Sequence, residues 1–307
     1  MSVTMPYHRL AQLSLICFLC QLPTILLHEF FIKPYYLIGE SSIVLIGLIL
    51  LLTTSYSLLF VVLGKLFFLG QDGDFSVWWR ATFIGYVFAI GLHVSIEPLH
   101  YAQQFGWYLV FLAFFHFSEY FATAYTNPSN LSTDSFLLNH SPAYHVAAVL
   151  SWAEFFLELT FYPPLKSSRI ISYVGIGVCL AGEILRKLAM ITAGKSFNHI
   201  VQSARQEDHV LVTKRVFGLV RHPSYLGWFL WSVGTQLILV NPVCFVAYTV
   251  ISWLFFKERI YVEEYTLYQF FGESYHAYKQ KVPYSGLPFI SGYDQARYEE
   301  EEEEEGD

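Results

Sequence analysis

The sequence predicts an all-α integral membrane protein of about eight transmembrane helices, closing on a C-terminal helical hairpin. Three observations carry this. Hydrophobic residues make up 54% of the 307 residues and aromatics 19%, while charged residues make up only 14%, against about 25% in a soluble domain. Mean hydropathy is +0.41. The apolar residues also gather in runs close to the roughly 20 residues that cross a hydrocarbon layer about 30 Å thick. A water-soluble globule, a disordered chain and a nucleic-acid binder are thereby excluded. The net charge of −7 belongs to the C-terminus, where Glu299 to Glu305 and Asp307 supply eight negatives; the remainder holds eighteen basic against seventeen acidic residues.

In chain order the runs centre on 10–27, 43–68, 78–94, 106–125, 144–162, 170–191, 225–240 and 243–256. The first leads straight into further spans and lacks a clear cleavage site, so it reads as a membrane helix and not as a cleavable signal. Only Asn241-Pro242 separates the last two, a turn signal that makes them a tight hairpin. Gly175 and Gly177 lie inside the sixth run, where close helix packing explains them better than nucleotide binding. Glu154, Glu158 and Glu183 also fall within runs and are expected to face protein or a cavity. Cys17, Cys20, Cys179 and Cys244 all sit in apolar surroundings. Cys17-x-x-Cys20 has redox or zinc spacing but no second pair, so buried hydrophobes are the better reading.

Orientation follows the positive charges. Twelve of the eighteen Lys and Arg lie at or after Arg186, five of them between the sixth and seventh runs and five beyond the eighth. Both regions are expected in the cytosol, and with eight spans so is the N-terminus.

The sequence holds no P-loop, no pair of histidines at i, i+3 or i, i+4, and no internal repeat. Polar density is instead concentrated between Gly194 and Gly292. It includes Phe197-Asn-His-Ile-Val-Gln202, His209-Val-Leu-Val212, Val216-Phe217 and Arg221-His-Pro-Ser-Tyr-Leu-Gly227. Beyond the hairpin come Arg259-Ile-Tyr-Val-Glu263-Glu264, Phe271-Gly272, Tyr275, Tyr278 and Val282-Pro283. Each has a plainer reading. Arg259 and Glu263 share a helix face at i, i+4 and would pair weakly with one another. Pro223 is an ordinary helix-opening proline, Tyr225 and Trp228 fit an aromatic belt, and Arg221 fits the positive-inside pattern.

Taken together and in order, these residues resemble the isoprenylcysteine carboxyl methyltransferase family of eukaryotes, most strongly over residues 169–292. Upstream, the likeness rests on a count of eight spans. The Arg-His-Pro-x-Tyr core alone is shared with other membrane methyltransferases and with sterol reductases, whereas the whole ordered set is specific. The resemblance implies methyl transfer from S-adenosylmethionine to the C-terminal carboxylate of a prenylated cysteine, giving a methyl ester and S-adenosylhomocysteine. It implies a site at the cytosolic face of the endoplasmic reticulum membrane, built by the segments joining the last spans. Prenylated CaaX proteins, such as those with small-GTPase and lamin-like tails, would be the partners.

By the family's motif Arg259 would hold the substrate carboxylate. Glu263, Gln202, His209, Val210, Leu211, Val212, Phe217, His222, Pro223, Ser224 and Tyr225 would bind the cofactor, with Phe217 standing where the family carries tyrosine. No metal is implied. The chain would then divide into a hydrophobic wall of about five spans (1–165), a catalytic core (166–292) and an acidic, disordered tail (293–307). Other readings are methyl transfer to a different lipid acceptor, sterol reduction on the same scaffold, and a non-catalytic membrane receptor.

The topology makes a prediction of its own. Asn130-Leu-Ser132 and Asn139-His-Ser141 match the glycosylation acceptor pattern, but their loop is expected in the cytosol. No glycosidase-sensitive mobility shift is expected from either site on expression in eukaryotic cells. A glycan on either asparagine would invert the orientation.

Overall fold

Runs this apolar form helices because only a helix satisfies every backbone polar group within one segment. The computed structural model describes residues 6–27, 42–68, 72–96, 102–139, 141–202, 204–205 and 210–294, and among these every long element is an α-helix. They are α1 (Pro6–Leu19), α2 (Thr24–Leu27), α3 (Ser42–Phe67), α4 (Asp72–Ile96), α5 (Gln103–Thr126), α6 (Pro142–Phe161), α7 (Arg169–Ala193), α8 (Pro223–Leu239), α9 (Pro242–Phe271) and α10 (Glu273–Lys281). Three are long and apolar enough to cross a membrane by length and composition, over His8–Leu26, Gly47–Phe67 and Gly73–Ile96. The acidic tail from 295 onward lies outside the described residues.

Seven of the eight expected runs coincide with one helix each, and the departures have local causes. The first run breaks at residues 20–23, where Pro23 has no N–H to continue the helix ladder. The freed polar groups there find partners on α3. Tyr56 donates to the Cys20 carbonyl at 2.8 Å, and Ser57 donates to Gln21 Oε1 at 2.6 Å. The eighth run continues fifteen residues past Phe256, so α9 has 30 residues. At 1.5 Å per residue it is about 45 Å long, longer than the hydrocarbon layer is thick. Its second half carries Arg259, Glu263 and Glu264.

The chain divides into two compact units, residues 1–177 with 234–245 and residues 178–233 with 246–307. In the first, Cys17, Phe18, Val77, Ala81, Ile84, Ala113, Phe117, Tyr120 and Phe136 form one buried core from α1, α4, α5 and the turn after α5. The same unit holds the hairpin turn, secured by side chains that were unassigned in the sequence. Lys166, fully buried, donates to Glu158 at 2.6 Å, to the carbonyls of Leu239 and Val240 at 3.0 and 2.9 Å, and to Asn241 Oδ1 at 2.8 Å. It thus occupies the carbonyls that α8 leaves bare at its C-terminus. Glu154 accepts from the N–H groups of Val243 and Cys244, both at 2.7 Å, and caps the start of α9. Gly175 approaches the backbone of Ile238, leaving no room for a Cβ, whereas Gly177 faces open space.

In the second unit α7 crosses α8 with Gly182 against Gly227: a Cβ on Gly227 would come within 2.7 Å of the Gly182 carbonyl. This close approach lets Arg186 reach Ser224 Oγ at 2.7 Å with its guanidinium 4.7 Å from the Trp228 ring centre. Glu183, also on α7, is paired with Lys187 at 3.5 Å.

Replacing Lys166 with methionine would leave Glu158 and three oxygen acceptors without their cation. A loss of about 3–5 kcal/mol is expected, read as a fall in unfolding temperature in detergent. An unchanged temperature would mean the latch is unimportant.

Candidate active site

The site is built on the start of α8 and the extended half of α9, both in the second unit. Pro223, whose missing N–H costs nothing at a helix's first position, opens α8. The two residues before it are tied to the C-terminal segment by their backbones: Arg221 N–H donates to Tyr284 O at 2.9 Å and His222 N–H to Ser285 O at 2.8 Å.

Beneath this lies a buried charge cluster. The Arg221 and Glu264 side chains are 0% exposed. Arg221 donates through Nε to Glu264 Oε1 at 2.8 Å, through Nη1 to the Val282 and Pro283 carbonyls at 2.9 and 2.6 Å, and through Nη2 to Ser291 O at 2.7 Å. His222 Nε2 lies 3.0 Å from the same Glu264 oxygen, and Lys279 Nζ lies 3.6 Å from the other. Gly292, at φ +78°, passes so close to the Glu264 carboxylate that any Cβ would overlap it. Burial alone would push the Glu264 carboxyl up. The His222 hydrogen bond and charge, with the Arg221 guanidinium, outweigh burial and hold it below the usual range.

Above the cluster, Arg259 and Glu263 do not pair directly, as their spacing alone had suggested. The Tyr225 hydroxyl stands between them: it accepts from Arg259 Nε at 3.1 Å and donates to Glu263 Oε2. Arg259 Nη2 donates to the His199 carbonyl. The Tyr225 ring stacks parallel to His222, with centroids 5.5 Å apart, and packs on Phe256 at 5.3 Å. His222, itself held by Glu264, therefore sets the ring that joins Arg259 to Glu263.

A cavity opens beside this group. Val210, Leu211, Val212, Phe217, His222, Pro223, Ser224, Tyr225 and Glu263 all line it, together with Asn198 and Tyr275. An adjoining cavity shares Tyr225 and Glu263 and adds Gln202. Of the residues expected to bind a cofactor, ten thus come together around one cleft; His209 lies outside the described residues. Arg259 is in neither wall, and it meets the cleft through Tyr225.

A sequence profile of the isoprenylcysteine carboxyl methyltransferase family matches residues 174–269. The protein-S-isoprenylcysteine O-methyltransferase of Tribolium castaneum is 48% identical over 250 residues, covering 80% of this chain and 89% of that protein. The Xenopus laevis enzyme of the same name is 53% identical over 229 residues, covering 75% and 79%. The chain belongs to the isoprenylcysteine carboxyl methyltransferase family. The solved structure of a eukaryotic intramembrane Ras methyltransferase of this family, determined without a monobody, superposes with a TM-score of 0.84 at 44% identity, covering 93% of this chain and 99% of that one.

Against this family background, four contributors to the site were not legible as such in the sequence. Glu264 was legible only as the second glutamate of a pair. Adjacent helical residues point about 100° apart, so Glu263 turns to the cleft while Glu264 turns inward. Arg186, inside the sixth run and given no role, holds Ser224 in the cavity wall. Tyr275 and Tyr278, noted only as motif spacing, line the cleft, and the Tyr278 hydroxyl donates to Phe217 O at 2.7 Å.

Because the Glu264 carboxyl is depressed, its stabilisation is present above the ordinary glutamate value of about 4.3 and is lost as pH falls through its lower folded value. Glu264→Gln should unfold at a lower temperature near pH 7 and lose less further stability below about pH 4.3. Equal acid sensitivity in parent and variant would contradict the assignment of that charge.

Proposed function

We propose that this chain is a multi-pass membrane enzyme methylating the C-terminal carboxylate of a prenylated cysteine, with S-adenosylmethionine as donor. The observation that carries the reading is the single Tyr225 hydroxyl bonded both to Arg259 and to Glu263, one helical turn apart at the edge of the lined cleft. The relatives' shared name supports the acceptor.

The cleft's donor set suits the methyl donor. Glu263 offers a carboxylate to an ammonium or ribose hydroxyl, and His222, Tyr225 and Phe217 offer aromatic faces to a purine or a sulfonium. The buried start of α8 favours a carboxylate. When bound, S-adenosylmethionine supplies an electrophilic methyl group on sulfur and leaves as neutral S-adenosylhomocysteine. The acceptor oxygen needs no base, since an α-carboxylate with pKa about 3.5 is ionised at neutral pH. The chain's own work is therefore placement. Arg259 grips the carboxylate with its planar fork; Nη1, which makes no hydrogen bond among the described residues, is free to do so. Glu263 holds the donor, Tyr225 keeps the two anchors in register, and the apolar residues Val210, Leu211, Val212 and Phe217 keep water out.

On this reading residues 1–165 supply a hydrophobic wall of spans and 166–292 perform the reaction. Tyr293, buried in one cluster with Tyr268 and Tyr275, belongs with that core and not with the acidic tail expected to begin at 293. Eight spans would place the cleft at the cytosolic face of the endoplasmic reticulum. The prenyl chain would then arrive from lipid, the cofactor from the cytosol, and the tails of small GTPases and lamins would be served.

Purified protein given labelled S-adenosylmethionine and N-acetyl-farnesylcysteine should form a base-labile methyl ester. Arg259→Ala should lower kcat/KM by roughly 30- to 1000-fold. Tyr225→Phe, which keeps the ring and loses the bridge, should fall by about tenfold. A folded parent that transfers no methyl to this acceptor would redirect the assignment to another lipid carboxylate.

A further inference from the structure

A further cavity in the same unit lies on the other side of α9 from Arg259 and Glu263. It measures about 400 Å³ and is walled by Lys257, Glu258, Tyr261 and Val262 of α9 and by residues 289–292 of the C-terminal segment. Nothing in the methyl-transfer chemistry uses it.

Three independent features mark it. First, Phe289 is 99% exposed and holds a left-handed backbone at φ +62°, a conformation that costs a non-glycine residue free energy. Its neighbours Leu287 and Ile290 are buried against Phe256 and Ile260, and Trp253 Nε1 donates to Pro288 O at 2.8 Å. The segment is thus anchored while one large aromatic is turned outward. Second, the cavity sits where the apolar stretch of α9 ends: Lys257 is its first charged residue, fifteen residues after Pro242, or about 22 Å of helix rise. Third, the rim carries one charge of each sign. Lys257 and Glu258, adjacent in sequence, point apart on the helix. Among the described residues neither forms an ion pair; the Lys257 ammonium sits 5.6 Å from the Trp253 ring centre.

We infer that this cavity binds a zwitterionic glycerophospholipid of the surrounding bilayer, with its phosphate on Lys257 and its ammonium on Glu258. The acyl region lies along Phe289, Ile290 and Val262, and Tyr261 flanks the headgroup. The pairing of opposite rim charges selects the zwitterion. An anionic headgroup would gain Lys257 but face Glu258 without a counter-charge. The outward Phe289 is favourable only where an aromatic enters a bilayer interface.

The test uses the full chain in nanodiscs containing equal amounts of phosphatidylethanolamine and phosphatidylglycerol. Retained lipid is read by native mass spectrometry after release, and unfolding temperature reports folding independently of methyl transfer. The parent should retain phosphatidylethanolamine preferentially. Lys257→Ala should lower that retention about fivefold, Phe289→Ser should lower it as well, and Glu258→Lys should shift the preference to phosphatidylglycerol, all at unchanged unfolding temperature. Retention indifferent to these three variants would overturn the site. A parent that prefers phosphatidylglycerol, or retains neither lipid, would overturn it equally.

Discussion

The buried carboxylate of Glu264 is the interaction on which the catalytic unit depends. It is removed from water, so its charge must be met on every side or its burial would cost several kcal/mol. Arg221, His222 and Lys279 meet it, and each brings a different part of the chain. Arg221 draws in the carbonyls of Val282, Pro283 and Ser291, which fixes the C-terminal segment. His222 sets the plane against which Tyr225 stacks. Lys279 closes α10 onto the Tyr293 carbonyl. These ties shape the cleft, and Tyr225, stacked on His222, joins Arg259 to Glu263 beside them.

That arrangement suits a reaction in which no proton must move. A carboxylate acceptor is already a nucleophile, so what the protein adds is position and dryness. A buried ion cluster is a rigid support for such a task, because Arg221 at its centre is fixed by four side-chain hydrogen bonds. At the other end of α8, Lys166 and Glu154 give the hairpin turn a comparable polar lock. The two helices that carry the site are therefore held by charges placed near their ends as well as by apolar packing along their length.

The helices were legible because their apolar runs were long and their breaks few. Pro223 and Asn241-Pro242 marked boundaries by backbone chemistry alone, and the structure begins α8 and α9 there. The kink at Pro23 was legible in principle, yet the unbroken apolar run masked it. The extension of α9 was harder to see, since polarity past Phe256 ends a membrane run without ending a helix. Motif order brought the cleft-lining residues into view. The bridge at Tyr225 could not be seen, because i, i+4 spacing suggests direct contact between Arg259 and Glu263 and carries no information about a hydroxyl 34 residues away. Lys166 was opaque for the same reason: three of its four acceptors lie 73 to 75 residues on.

Arg259 and Glu263 are assigned different ligands, and binding separates the two anchors more cleanly than turnover does. Equilibrium binding of S-adenosylmethionine and of N-acetyl-farnesylcysteine would be measured on the parent, Arg259→Ala and Glu263→Ala in the same detergent. The account predicts that Arg259→Ala keeps the donor and loses the prenylcysteine, while Glu263→Ala does the reverse. Loss of donor affinity in Arg259→Ala with prenylcysteine affinity intact would contradict it.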